Sequence, residues 1–122
     1  MEILAHRGAS GTAPENSLSA FKKALKDGCD GFEFDIQQTK DGEIVVFHDW
    51  TLERTSNGKG NLKEFTLEEL KKLDIGSWFS DEFKGEKIPT LEETLDFIPD
   101  DNFINIELKE EFSRERGTEI KL

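Results

Sequence analysis

The sequence predicts an α/β fold whose working surface lies where its strands end. Three observations carry this. Short apolar runs alternate with segments of helical periodicity, which is the signature of strands and helices laid down in turn. Two Thr-x-x-Glu capping boxes, Thr66 to Glu69 and Thr90 to Glu93, mark helix starts inside the chain. Each apolar run also ends in chemically capable side chains: His6-Arg7, then Glu33 and Asp35, then His48-Asp49, then Glu107 and Lys109. In parallel α/β proteins the carboxyl ends of the strands carry the chemistry, because the loops there are free to vary.

The elements follow in order. Ile3 to Arg7 reads as a short buried strand. Ala9 to Glu15, with Gly11 and Pro14, is a loop, and Asn16 reads as the N-cap of a helix whose apolar positions are Leu18, Phe21, Ala24 and Leu25. Gly28 closes that helix. Gly31 to Ile36 is a second strand with Glu33 and Asp35 on one face and Phe32 and Phe34 on the other. Lys40-Asp41-Gly42 is a tight-turn signal that favours an antiparallel hairpin into a third strand, Glu43 to Phe47. If the second and third strands are instead parallel, the residues near Gln37 to Thr39 must carry the chain back across the sheet. Trp50 to Phe65 is polar and glycine-rich and reads as a surface excursion. A short helix with Leu67, Leu70 and Leu73 inward follows, then an irregular stretch over Ile75 to Lys87. Leu91, Leu95 and Ile98 form the apolar side of a further helix stopped by Pro99, and Phe103 to Leu108 is the fourth strand.

The 122 residues fit one domain with a real core, helped by ten phenylalanines. Twenty-seven acids against 16 bases leave a net charge of −11, which argues against nucleic acid and against anionic membrane surfaces as partners. Such a protein acting on a phosphate-bearing substrate needs local positive charge from a metal or a few Lys and Arg. Cys29 is the only cysteine and reads as a small buried hydrophobe. Met1-Glu2 runs straight into Ile3-Leu4-Ala5, with no basic leader and no apolar run of spanning length, so no signal peptide and no membrane span are expected and the cytoplasm is the expected location.

Glu33, Asp35 and Glu107 form a hard-oxygen set suited to Mg²⁺ or Ca²⁺, and a divalent ion would relieve their mutual repulsion. His6 and His48, the only histidines, suit acid–base work at neutral pH, and Arg7 and Lys109 can neutralise phosphate oxygens. The alternative for each is bland: a satisfied loop histidine, an exposed Glu107/Lys109 ion pair, or an amphipathic strand with Glu33 and Asp35 in water. All would have to hold independently at four strand ends.

The same residues resemble a known pattern. His6-Arg7-Gly8 followed by Pro14-Glu15-Asn16-Ser17 is similar to the opening H-R-G and P-E-N-T signature of the glycerophosphodiester phosphodiesterases, with Ser17 in place of Thr. Glu33-Phe34-Asp35 resembles their E-x-D, and Thr39-Lys40-Asp41-Gly42 through Val45-Val46-Phe47-His48-Asp49 their turn and second histidine. Arg54-Thr55 with Asn57-Gly58 resembles their R-T-x-N-G segment, Ile88-Pro89-Thr90-Leu91-Glu92-Glu93 their P-T-L-x-E helix, and Asn105-Ile106-Glu107-Leu108-Lys109 their N-I-E-I-K strand. The matches run in order from residue 3 to 109.

That resemblance implies a TIM barrel of which residues 1–122 supply the amino-terminal half as a single domain, with a small insertion around residues 50–87. It implies His6 and His48 as the acid–base pair, Glu33, Asp35 and Glu107 as ligands of Mg²⁺ or Ca²⁺, and Arg7 and Lys109 as phosphate-binding cations. Glu15 would brace the site through an ion pair, and Asn16 would cap the first helix. The implied reaction converts a glycerophosphodiester to an alcohol and glycerol 3-phosphate. Family members have about eight strands in roughly 250 residues, so a homodimer completing the barrel, four strands from each chain, is a further expectation. A sphingomyelinase D-like phosphodiesterase, a phosphatidylinositol phospholipase C-like enzyme, and a non-catalytic half-barrel serving as an interaction module are the alternatives.

Overall fold

The computed structural model describes residues 4–108. Its centre is one long strand, β2 (Gly31–Gln38), on which every other strand pairs. β1 (Leu4–His6) and β4 (Phe103–Leu108) run parallel to it, with Leu4 to His6 opposite Gly31 to Glu33 and Phe103 to Leu108 opposite Gly31 to Ile36. β3 (Ile44–Val46) runs antiparallel, with Ile36 opposite Val46 and Gln38 opposite Ile44.

The hairpin signal at Lys40-Asp41-Gly42 therefore prevails over the parallel alternative. Thr39 N–H donates to Glu43 O at 2.8 Å and Gly42 N–H donates to Thr39 O at 3.1 Å. A parallel crossover needs a dozen or more residues, and this connection is far shorter. Among the described residues, β1, β2 and β4 run parallel and β3 returns antiparallel, as the turn signal favours.

β2 is sided. Phe32, Phe34 and Ile36 are buried beneath helix α1 (Leu18–Lys26), where Phe21 meets Phe32 edge-on at 5.5 Å and Phe34 at 5.6 Å. Leu91 of helix α3 (Leu91–Phe97) and Ile98 just after it join the same cluster. The other face presents Glu33, Asp35 and Gln37, and Asp35 is only 1% exposed. An amphipathic strand with its acids in water is thereby ruled out for Asp35.

The cap of α1 lies one residue later than expected. Asn16 has φ +55°, in the left-handed region, and Ser17 is the N-cap, its Oγ accepting from Ala20 N–H at 3.1 Å. The reason is local: Asn16 N–H donates to Arg7 O at 2.8 Å, which turns the Asn16 side chain toward β2 instead of toward the helix. Gly28 closes the helix at φ +84°, with Gly28 N–H on Leu25 O and Cys29 N–H on Ala24 O, both at 3.1 Å, forming a Schellman motif. Cys29 is half-buried against the core, not fully buried as expected, and that burial pushes its thiol pKa up.

The excursion after β3 has a core of its own. Leu52, Leu62, Leu70, Ile75 and Ile88 are buried with Val45 and Phe47, around a short helix α2 (Leu67–Lys71). Both expected capping boxes form, on α2 and α3. Asp74 gathers the loop by accepting from Gly76 N–H (2.7 Å), Ser77 N–H (3.0 Å), Ser77 Oγ (2.6 Å) and Gly85 N–H (3.2 Å), which holds its pKa well below the usual carboxylate range. Glu86 then ties the excursion to the start of α1, accepting from Ser19 N–H at 3.0 Å and Ser19 Oγ at 2.7 Å. Among the described residues no helix is long and apolar enough to cross a membrane.

Candidate active site

The site follows from how β1 and β3 share β2. Alternate residues of a strand offer their N–H and C=O to the same edge. Arg7 N–H donates to Glu33 O and Phe47 N–H donates to Asp35 O at 3.0 Å, so β1 and β3 lie end to end along one edge of β2. Because β1 is parallel and β3 antiparallel, their carboxyl ends point at each other. His6-Arg7 and His48-Asp49, more than forty residues apart in sequence, thus meet over Glu33 and Asp35. The return strand is what makes this meeting possible: a parallel third strand would have carried His48 away.

The turn after β1 is tightly specified. Arg7 takes φ +59° and Gly8 φ +79°. A Cβ at Gly8 would lie 2.7 Å from Ala20 Cβ, so the chain passes α1 only without a side chain. Two consecutive left-handed residues reverse the backbone at once and bring Arg7 back over β2. Non-glycine residues held in that region carry strain of about 1–3 kcal/mol each and cluster at functional sites. Arg7 and Asn16 are the non-glycine cases among the described residues, and their backbones bond each other.

Asp35 is the buried focus. Arg7 Nε lies 3.4 Å and Asn16 Nδ2 3.3 Å from Asp35 Oδ2. Glu33 accepts from Asn105 Nδ2 at 3.2 Å, and the register sets Asp35 opposite Glu107 and His6 opposite Glu33, so all four ionisable groups share a face. Glu15 accepts from Arg7 Nη1 at 3.2 Å. Beyond it the pairing continues: Arg54 grips Glu15 with two nitrogens at 3.0 and 2.9 Å and Asp49 with two contacts at 2.8 and 3.0 Å. Asp49 in turn bonds His48 Nδ1 at 2.7 Å. Hydrogen bonds from Arg54 hold the Asp49 carboxyl down at about 2, and the carboxylates of Asp49 and Glu15 push the Arg54 guanidinium pKa further up. An ionised Asp49 can only accept, so Nδ1 of His48 is the donor in this pair and Nε2 is the nitrogen left over.

Metal binding divides into chemistry and geometry. Glu33, Asp35 and Glu107 are the right donors for a hard cation and share one face. Asn16 Oδ1 is a buried oxygen with no hydrogen-bond partner beside them, a further donor in the same corner. Yet Asp35 is turned toward Arg7 and Asn16 and Glu33 toward Asn105, and no three His, Cys, Asp or Glu among the described residues converge as a metal site. The residues fit such an ion by donor type and by sharing one face, while their side chains are turned to other partners. Lys109, the second expected phosphate-binding cation, lies outside the described residues.

Asp49, Arg54 and Asn105 complete the arrangement and have no role in the sequence reading. Each stands inside a motif quoted there, but the signal for a role is spatial: Arg54 and Glu15 are 39 residues apart.

Three parallel strands with helices behind and ionisable groups at their carboxyl ends define part of a TIM-barrel-type α/β protein. Residues 6–120 match the Glycerophosphoryl diester phosphodiesterase family, and the chain belongs to it. It is 52% identical over 121 residues to a glycerophosphodiester phosphodiesterase of Caldanaerobacter subterraneus subsp. tengcongensis, covering 98% of this chain and 50% of that protein. It is 46% identical to one of Bacillus altitudinis, covering 99% and 50%. Among solved structures, a glycerophosphodiester phosphodiesterase of Agrobacterium tumefaciens superposes with TM-score 0.86 at 41% identity, covering 88% of this chain and 47% of that one. A phosphodiesterase of Oleispira antarctica in complex with sn-glycerol-3-phosphate does so with TM-score 0.86 at 43% identity, covering 89% and 44%. The chain spans about half the length of the relatives it matches.

Proposed function

We propose that this chain supplies the acid–base and metal-binding half of a glycerophosphodiester phosphodiesterase site, cleaving glycerophosphodiesters to an alcohol and glycerol 3-phosphate. The observation that carries the reading is the end-to-end placement of β1 and β3, which sets two histidine-bearing turns over one carboxylate face. Glu33, Asp35 and Glu107 would hold a Mg²⁺ or Ca²⁺ ion, which when bound supplies charge neutralisation for a phosphate. Arg7, pinned by Glu15 and facing Asp35, offers its guanidinium to the non-bridging phosphate oxygens. His48, held at Nδ1 by Asp49, presents Nε2 to take a proton from the attacking oxygen or return one to the leaving oxygen, and His6 performs the complementary transfer.

Hydrolysis of glycerophosphocholine by the 122-residue chain, with Mg²⁺, with Ca²⁺ and with chelator, tests this. Metal-dependent turnover should fall about 10²–10⁴-fold in His6→Ala and in His48→Ala. Turnover no greater in the wild type than in both variants, under either metal, would refute catalysis by this chain.

A further inference from the structure

We propose that Arg54 is a positioning residue, one guanidinium that locks the His48 turn and the Arg7 turn into a single rigid unit by gripping Asp49 and Glu15 at once. The inference rests on the functional reading above only for what the two turns do; their linkage stands on geometry.

Four hydrogen bonds make the linkage. Nε and Nη2 of Arg54 donate to the two oxygens of Asp49, and Nη1 and Nη2 donate to the two oxygens of Glu15, all between 2.8 and 3.0 Å. Each carboxylate passes the restraint on: Asp49 to His48 Nδ1 at 2.7 Å, and Glu15 to Arg7 Nη1 at 3.2 Å. Arg7 then reaches buried Asp35. A pair of exposed charges is worth little, but two bidentate contacts on one planar fork are the exception, because the geometry is set in two directions. The fork also projects from a firm base. Leu52 is fully buried, Thr55 and Ser56 are nearly so, Ser56 Oγ donates to Leu52 O at 2.6 Å, and Asn57 N–H donates to Asp74 O at 3.2 Å. The excursion thus does chemical service: it delivers a clamp between two turns that β2 alone sets side by side. A lysine cannot replace it, since one ammonium does not span two carboxylates in fixed orientation.

Only two histidines occur in the chain, so their ring nitrogens are readable one by one by ¹⁵N NMR of the full chain. In the wild type at neutral pH, His48 should be a single tautomer protonated at Nδ1. In Arg54→Ala and in Arg54→Lys it should become a tautomer mixture with an altered linewidth, and the His6 signals should move less, since Arg7 keeps its own contacts to Glu15 and Asp35. Added guanidinium ion should restore the His48 signal in Arg54→Ala. Where turnover is measurable, kcat/KM should drop about 10–100-fold in both variants, with Glu15→Gln adding little to Arg54→Ala. An unchanged His48 tautomer in both variants, with the fold intact by circular dichroism, overturns the proposal. The NMR arm needs no catalysis, so an inactive wild type would defeat the functional reading and still leave this inference decided.

Discussion

The two faces of β2 are made of neighbouring residues and obey opposite rules. On the outer face Phe32, Phe34 and Ile36 are buried against Phe21, Leu91 and Ile98, where apolar area leaves water and nothing needs a specific partner. On the inner face Asp35 is as deeply buried, among charges and amides whose positions are fixed by two strained turns. One face holds the fold together; the other is held by it. The strand period of two is what allows both, since a single residue step reverses the environment.

Substitution should separate the faces. Phe32→Ala removes a fully buried ring in edge-on contact with Phe21 and should destabilise by about 3–5 kcal/mol, enough to unfold a marginal domain. Asp35→Asn keeps the shape and reduces repulsion among the carboxylates while weakening the Arg7 contact, so its loss should stay below about 2 kcal/mol. Its turnover with metal should vanish in the folded state. Urea denaturation of the two variants beside the wild type measures the contrast. Equal destabilisation would mean that the inner face also bears structural load.

How much of this was legible in the sequence follows the same division. The strands, both capping boxes and the sidedness of β2 are local, set by spacings of two, three and four residues, and they read directly. Most of the proposed site residues read as strand-end polar groups, and the family resemblance put them in order. What the sequence does not display is the meeting of β1 and β3 along one edge, because it depends on β2 extending past β1 far enough to pair with a return strand. Arg54 was hidden for the same reason: its partners Asp49 and Glu15 lie 5 and 39 residues away, and neither distance has a periodicity. Asn16 was misread by one position because Asn and Ser are both good caps, and only the Arg7 carbonyl decides which of them turns inward.

That one-residue difference is itself open to measurement, with a smaller effect. Ser17→Ala removes the side-chain oxygen that accepts from Ala20 N–H and should cost about 1 kcal/mol of stability while leaving Asp35 untouched. Asn16→Ala leaves the cap intact but removes the amide from Asp35 and places alanine at φ +55°, so its damage should appear at the site as weakened metal affinity. Thermal unfolding and metal titration of the pair distinguish the roles. If Asn16→Ala loses the helix cap and Ser17→Ala does not, the two residues have each other's role.

The smallest expected effect concerns acid. Arg54 holds the Asp49 carboxyl at about 2 against an ordinary value of 3.8. A depressed carboxylate contributes stability that is present above the unfolded pKa and lost as pH falls through the folded one. The loss therefore belongs to the window from about pH 4 down to about pH 2. Arg54 is nearly half exposed, so solvent screening trims the contribution to about 1 kcal/mol. Unfolding free energy should accordingly fall more steeply in that window for the wild type than for Arg54→Met, and the two curves should run parallel above pH 5. Parallel curves throughout would mean that the clamp orients its partners without stabilising the fold, whereas the aromatic face of β2, which has no titrating group, should respond to pH in neither protein.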